Sequence, residues 1–176
     1  MNHRLNLIFN RNIQGIIGIN NSLFAWTKGD FLHFKEQTMN KIVVMGYNTF
    51  LSLPGDKPIT TLKDRLNVVI TNNHYDELLD KISKSEENLD ILVYKTFDDF
   101  YKDLKEEKID VTRFEKYLSY DDVFIIGGST LYDYVYDNFK VNAIYETITN
   151  VSISINKYVQ DGNRIIYFTK EIDKSK

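Results

Sequence analysis

The chain has 176 residues, a formal net charge of -3, no cysteine and three histidines; this length suits one domain with a full core, and the missing cysteine excludes disulfides, a thiol nucleophile and a thiolate metal site. The acidic balance argues against nucleic acid or an anionic membrane as partner, and His3, His33 and His74 are too scattered for a metal site. No apolar run approaches a membrane span and residues 1–9 have too short an apolar core for a signal peptide, so a cytoplasmic globular protein is expected.

In chain order, Leu5 to Phe9 reads as a strand, and the glycine- and asparagine-punctuated Ile13 to Ser22 as a loop with an embedded extended piece. Thr27 to about Met39 has helical spacing, with Phe31, Phe34 and Thr38 on one side. Lys41 to Met45 is a strand; Gly46 then opens onto a short helix, Tyr47 to Leu53, stopped by Pro54 and Gly55. Leu66 to Thr71 predicts a strand, Tyr75 to Ile82 a helix, Ile91 to Tyr94 a strand, Phe97 to Leu104 a helix and Arg113 to Leu118 a further short helix. Val123 to Ile126 is a β-branched apolar run of the kind buried on both sheet faces. Gly127 and Gly128 follow at once, then Ser129 as N-cap of a helix reaching about Asn138. Ala143 to Thr149 and Arg164 to Thr169 complete the strands. Alternating strands and helices imply an α/β fold with a mostly parallel sheet covered on both faces, in one domain over residues 1–176.

Strand, glycine, helix start occurs twice, at Met45-Gly46-Tyr47 and at Ile126-Gly127-Gly128-Ser129. Such turns bring backbone N–H groups close to a phosphate, and a pair of them suits a dinucleotide; each also serves as plain turn geometry. Asp30 is the candidate acid. Its spacing from Thr27 also fits a capping box, whereas the neighbouring Phe31 and Phe34 would favour a carboxyl that keeps its proton near neutrality. Arg65 stands before Leu66, where a guanidinium could clamp a carboxylate or simply meet solvent. The Thr147 hydroxyl could anchor Asp30 or merely suit its strand.

The chain resembles dihydrofolate reductase in the segments Ile17-Gly-Ile-Asn-Asn21, Gly29-Asp-Phe-Leu-His-Phe-Lys-Glu-Gln-Thr38, Val43-Val-Met-Gly-Tyr-Asn-Thr-Phe-Leu-Ser-Leu53, Arg65-Leu-Asn-Val-Val-Ile-Thr71, Phe124-Ile-Ile-Gly-Gly-Ser-Thr-Leu-Tyr132 and Ile144-Tyr-Glu-Thr147, in the family's order over about residues 5–149. The resemblance implies hydride transfer from C4 of a reduced nicotinamide to C6 of dihydrofolate, with protonation at N5, in tetrahydrofolate synthesis and one-carbon metabolism. It casts Asp30 as the ionisable pocket group, Thr147 as its hydroxyl partner and Trp26 as the water-holding residue. Ile8, Phe9, Phe31, Phe34, Leu53, Ile126 and Tyr132 would wall the substrate, with Arg65 on its glutamate carboxylate. Asn10, Ile17, Asn21 and Ser22 would line the nicotinamide side. Gly46, Tyr47, Asn48, Thr49, Gly127, Gly128, Ser129, Thr130 and Leu131 would form the pyrophosphate turns, and Thr71, Asn72 and Lys95 the adenosine side. No metal is implied. The resemblance further implies a monomer open to antifolate inhibitors and a non-proline cis peptide at the glycine pair.

Several positions depart from the family pattern. Leu23-Phe24-Ala25-Trp26 replaces the usual Leu-Pro-Trp. Tyr47, Asn72 and Thr130 stand where the family carries cations for the NADPH 2′-phosphate, leaving Lys95 nearby; NADPH is the expected cofactor, with NADH as the alternative. The chain beyond Thr149 is short, so a curtailed C-terminal hairpin is expected. A pyrimidine reductase of riboflavin synthesis shares the fold and the glycine pair, but Asp30 with Phe31, Phe34 and Arg65 argues for folate. A non-catalytic relic kept for binding or structure would not need Asp30, Arg65 and both glycine turns.

Overall fold

The computed structural model describes residues 2–19, 22–23, 28–55, 57–150, 152 and 154–167, with backbone only at 19, 22, 23, 28–30 and 158. Strands β1 (Arg4–Asn12), β4 (Ile42–Gly46), β5 (Leu66–Ile70), β6 (Ile91–Tyr94), β7 (Asp122–Gly127) and β8 (Val141–Thr149) form one sheet in the order β6-β5-β4-β7-β1-β8. Every pairing in it is parallel. Helices α1 (Lys28–Thr38), α2 (Tyr47–Leu51), α3 (Tyr75–Ser83), α4 (Phe97–Lys105), α5 (Val111–Leu118) and α6 (Ser129–Asn138) occupy the connections, as parallel crossovers demand.

Successive residues of the central strands point to opposite faces, and two cores result. Leu7, Val44, Val68 and Ile125 pack on one face with Phe100 and Leu104 of α4, Phe114 of α5 and Val135 of α6. Ile8, Val43, Val69 and Ile126 pack on the other with Phe50 of α2 and Leu78 of α3. That double burial is why these strands are continuous apolar runs. Each such buried side chain contributes about 1.5–3 kcal/mol.

The end of the chain takes a different course from the rest. A short helix, α7 (Ile155–Gln160), which the sequence reading did not anticipate, leads to β9 (Ile165–Tyr167). That strand does not extend the main sheet beyond β8. It pairs antiparallel with β2 (Ile16–Ile19), which also pairs with β3 (Ser22–Leu23), in a second sheet of order β3-β2-β9. Among the described residues, the outer edge of β8 has no strand beside it. The strand expected to reach Thr169 is seen to Tyr167; the remainder lies outside the described residues.

Candidate active site

A cleft of about 440 Å³ opens at the carboxyl ends of β1, β4, β7 and β8, the edge where open α/β sheets take their ligands. Both glycine turns reach it. β4 ends at Gly46, whose extended backbone (φ -77, ψ 170) starts α2 without a side-chain cap. β7 ends at Gly127, and Gly128 (φ -93, ψ -161) starts α6, again without one. The N-cap is thus Gly128, and Ser129, expected there, is the first helical residue; the extended backbone that a cap requires falls one position earlier. The Gly127-Gly128 peptide is cis.

The two turns pack closely. A Cβ on Gly46 would lie 3.9 Å from both the Gly127 carbonyl oxygen and the Gly128 nitrogen. At Gly127 the backbone has φ +143, and a Cβ would meet the Thr49 Oγ1 at 2.8 Å. Only glycine provides both that conformation and that clearance. Gly46 to Thr49 and Gly127 to Leu131 all line the cleft, so it presents a run of bare backbone where a pyrophosphate would approach. The residues present fit a dinucleotide.

The apolar side is formed by Ile8, Phe9, Ile17, Phe34, Ile126 and Tyr132. Tyr132 donates its hydroxyl to the Ile8 carbonyl oxygen at 2.6 Å, and its ring lies 5.6 Å from that of Phe9. Burial pushes its phenol well above the ordinary range, so it remains a donor. Asn10 of β1 and Thr147 of β8 are partners in the parallel register and both face the cleft. The Thr149 hydroxyl donates to the Asn10 Oδ1 at 2.8 Å and holds that side chain. Asp30 lies in the first turn of α1, its side chain outside the described residues. His33 and Phe34, three and four positions later, line the cleft.

Other predicted positions are not on the cleft's lining. Phe31 is 43% exposed, and Leu53 packs against the core beside Phe50. Arg65 is 7% exposed and borders a separate recess of about 420 Å³ between residues 57–65 and 87–90. Its Nη1 donates to the Thr38 Oγ1 at 3.3 Å, and that hydroxyl donates to the Phe34 carbonyl oxygen at 2.8 Å. Asn67 fixes the segment by donating to the Arg65 and Leu62 carbonyl oxygens. Burial lowers the guanidinium below its ordinary pKa, partly opposed by Asp64. Its Nε, shielded from solvent, meets no acceptor among the described residues.

Among the residues expected on the adenosine side, Thr71 accepts from the His74 backbone N–H at 3.2 Å. The His74 ring stacks on Tyr47 at 4.1 Å and 8°, and its Nδ1 lies 3.1 Å from Glu77. The Lys95 Nζ sits 5.1 Å over the Tyr75 ring, and Asn72 is exposed. Asn21, Trp26 and the side chain of Ser22 lie outside the described residues. Gly18, His33, Ser52, Ile70, Phe97, Tyr134, Arg164 and Ile166 also line the cleft without having been singled out for it. His33 was within reach of helical spacing from Asp30; Arg164 and Ile166 carry no local signal. Among the described residues, no group of acidic or histidine side chains could hold a metal, and no helix is long and apolar enough to cross a membrane.

Comparison with known proteins gives one consistent result. Residues 4–167 match the family described as Dihydrofolate reductase. The dihydrofolate reductase of Ureaplasma parvum is 31% identical, the match spanning 78% of this chain and 94% of that protein. Dihydrofolate reductase type 9 of Escherichia coli is 31% identical over 73% of this chain and 62% of its own length. The structure of dihydrofolate reductase from Enterococcus faecalis complexed with NADP(H) and RAB-propyl superposes with a TM-score of 0.60 at 22% identity, covering 98% of this chain and 80% of that one. At that identity the likeness speaks for the fold.

Proposed function

The chain belongs to the dihydrofolate reductase family, and we propose that it reduces 7,8-dihydrofolate to 5,6,7,8-tetrahydrofolate with NADPH, NADH being the alternative donor. The observation that carries this reading is the close packing of the Gly46 and Gly127-Gly128 turns in one cleft with an apolar wall of Ile8, Phe9, Phe34 and Ile126.

Gly46 to Thr49 and Gly127 to Leu131 would hold the pyrophosphate through backbone N–H groups, and Asn10 and Ile17 would flank the nicotinamide. The reduced nicotinamide, when bound, supplies the hydride for C6 of the pterin. Ile8, Phe9, Phe34, Ile126 and Tyr132 orient the pterin and its tail and exclude water, which keeps the reacting atoms in a low dielectric. Asp30 acts on the proton at N5, directly or through a water held by Trp26, and Thr147 positions its carboxylate. Arg65, tied to the end of α1 through Thr38, would take the substrate's glutamate carboxylate.

Dihydrofolate-dependent loss of NADPH or NADH absorbance, abolished by methotrexate, tests the reading. Absence of turnover with either dinucleotide would favour a relic of the fold. Asp30→Asn should then collapse turnover near neutral pH and recover partly in acid; an unchanged rate would remove Asp30 from the role.

A further inference from the structure

One of the three histidines lines the cleft and is left without a task by the reading above. His3 is buried just before β1 begins, at the end of the sheet opposite the cleft. The His74 ring is stacked on Tyr47, and its Nδ1 lies beside Glu77. His33 lines the cleft and stays open to solvent, and its ring makes no hydrogen bond or ion pair with another described residue. It stands on α1, a helix with two further ties to the substrate side. Phe34, next to it, packs with Ile8, Phe50 and Ile126, and Thr38 at the helix end receives Arg65. The glycine turns, by contrast, lead into α2 and α6.

We propose that His33 contacts the bound folate and takes up a proton as the folate binds. The inference rests on the reading that this cleft reduces dihydrofolate. The glutamate of a folate carries two carboxylates, of which Arg65 would answer one. Binding therefore brings net negative charge to a site walled by Ile8, Phe9, Phe34 and Ile126, where a low dielectric strengthens charge interactions. The described lining contributed by β1, β4, β7 and β8 has no ionisable side chain. Arg164 carries a permanent charge, and the phenols of Tyr47, Tyr132 and Tyr134 can add only a negative one. On α1 itself, Asp30 and Glu36 stand three residues to either side of His33, with Lys35 between His33 and Glu36. An imidazole is thus the one group of the described lining able to gain positive charge between about pH 5 and 8. An anion brought beside it favours that charged form.

Imidazole NMR between about pH 5 and 8.5, on the wild type and on His33→Gln, each free, with folate and with NADP⁺, tests this. The resonance missing from His33→Gln identifies the group. Folate should raise the titration midpoint of His33 by about one pH unit, and NADP⁺ should raise it by less. Calorimetry with folate should show wild-type affinity falling as pH rises through that range, about tenfold further than in His33→Gln. The sign follows because a midpoint raised in the complex favours binding only while the imidazolium persists. Glutamine keeps the hydrogen-bonding capacity and cannot titrate, so a plain packing role would weaken folate equally at every pH. That outcome overturns the inference alone. So does a midpoint that folate leaves unmoved or lowers, or one that NADP⁺ moves as far. A wild type that binds no folate overturns the reading of the cleft together with it.

Discussion

Thr49 Oγ1 stands 2.8 Å from the point that a Cβ on Gly127 would occupy. The helix that follows one glycine turn therefore closes directly on the backbone of the other. Gly127→Ala would drive a methyl into a buried threonine while forcing φ +143 on a residue that avoids it. A loss of about 1–3 kcal/mol in stability is expected, together with weaker dinucleotide binding. Thr49→Ala in the same chain should relieve the collision and leave the backbone strain. Chemical denaturation and cofactor titration measure both, and a Gly127→Ala protein indistinguishable from wild type in the two assays would remove the constraint.

Tyr132 ties α6 to β1 through its bond to the Ile8 carbonyl oxygen at 2.6 Å, inside the core. Tyr132→Phe keeps the ring beside Phe9 and removes this donor from the Ile8 carbonyl oxygen. The expected cost is about 1–2 kcal/mol, read as a lower urea midpoint with an unchanged m-value. A midpoint equal to that of the wild type would show that the bond contributes nothing net.

His3 is 8% exposed, and burial lowers its pKa below the model-peptide value of 6.5, with the Leu118 backbone and Asp121 opposing in part. The unfolded chain therefore binds the proton more readily than the folded one. Stability attributable to His3 is intact above about pH 6.5 and falls as pH drops from there toward the folded-state pKa. Denaturation midpoints between about pH 7 and 5 should decline less steeply in His3→Gln than in the wild type. Parallel curves would assign the acid sensitivity elsewhere.

Tyr47, Asn72 and Thr130 give the 2′-phosphate no permanent charge, and the Tyr47 ring is instead covered by His74. Lys95 stands over Tyr75 nearby. Discrimination between NADPH and NADH in kcat/KM should accordingly stay below roughly a hundredfold, about 2.7 kcal/mol. A larger preference for NADPH, measured with dihydrofolate saturating, would contradict this.

What the sequence determined by itself was the local and periodic part. β-branched runs such as Ile42 to Met45 and Val123 to Ile126 suit strands buried on both faces, and they formed β4 and β7. The glycines at 46, 127 and 128 marked turns whose backbone demands are equally local. Helical spacing identified α1 and α3 to α6 for the same reason. What depended on contacts between distant segments was decided only in the tertiary structure. Phe31 and Phe34 look alike on a helical wheel, yet the packing of α1 leaves Phe31 43% exposed and puts Phe34 on the cleft. Tyr47 meets His74 because β4 and β5 end side by side. The destination of Ile165 to Tyr167 was the least legible feature. A three-residue apolar strand fits the edge of β8 or the edge of β2 equally well, and only the folded chain shows that it takes β2 and brings Arg164 to the cleft.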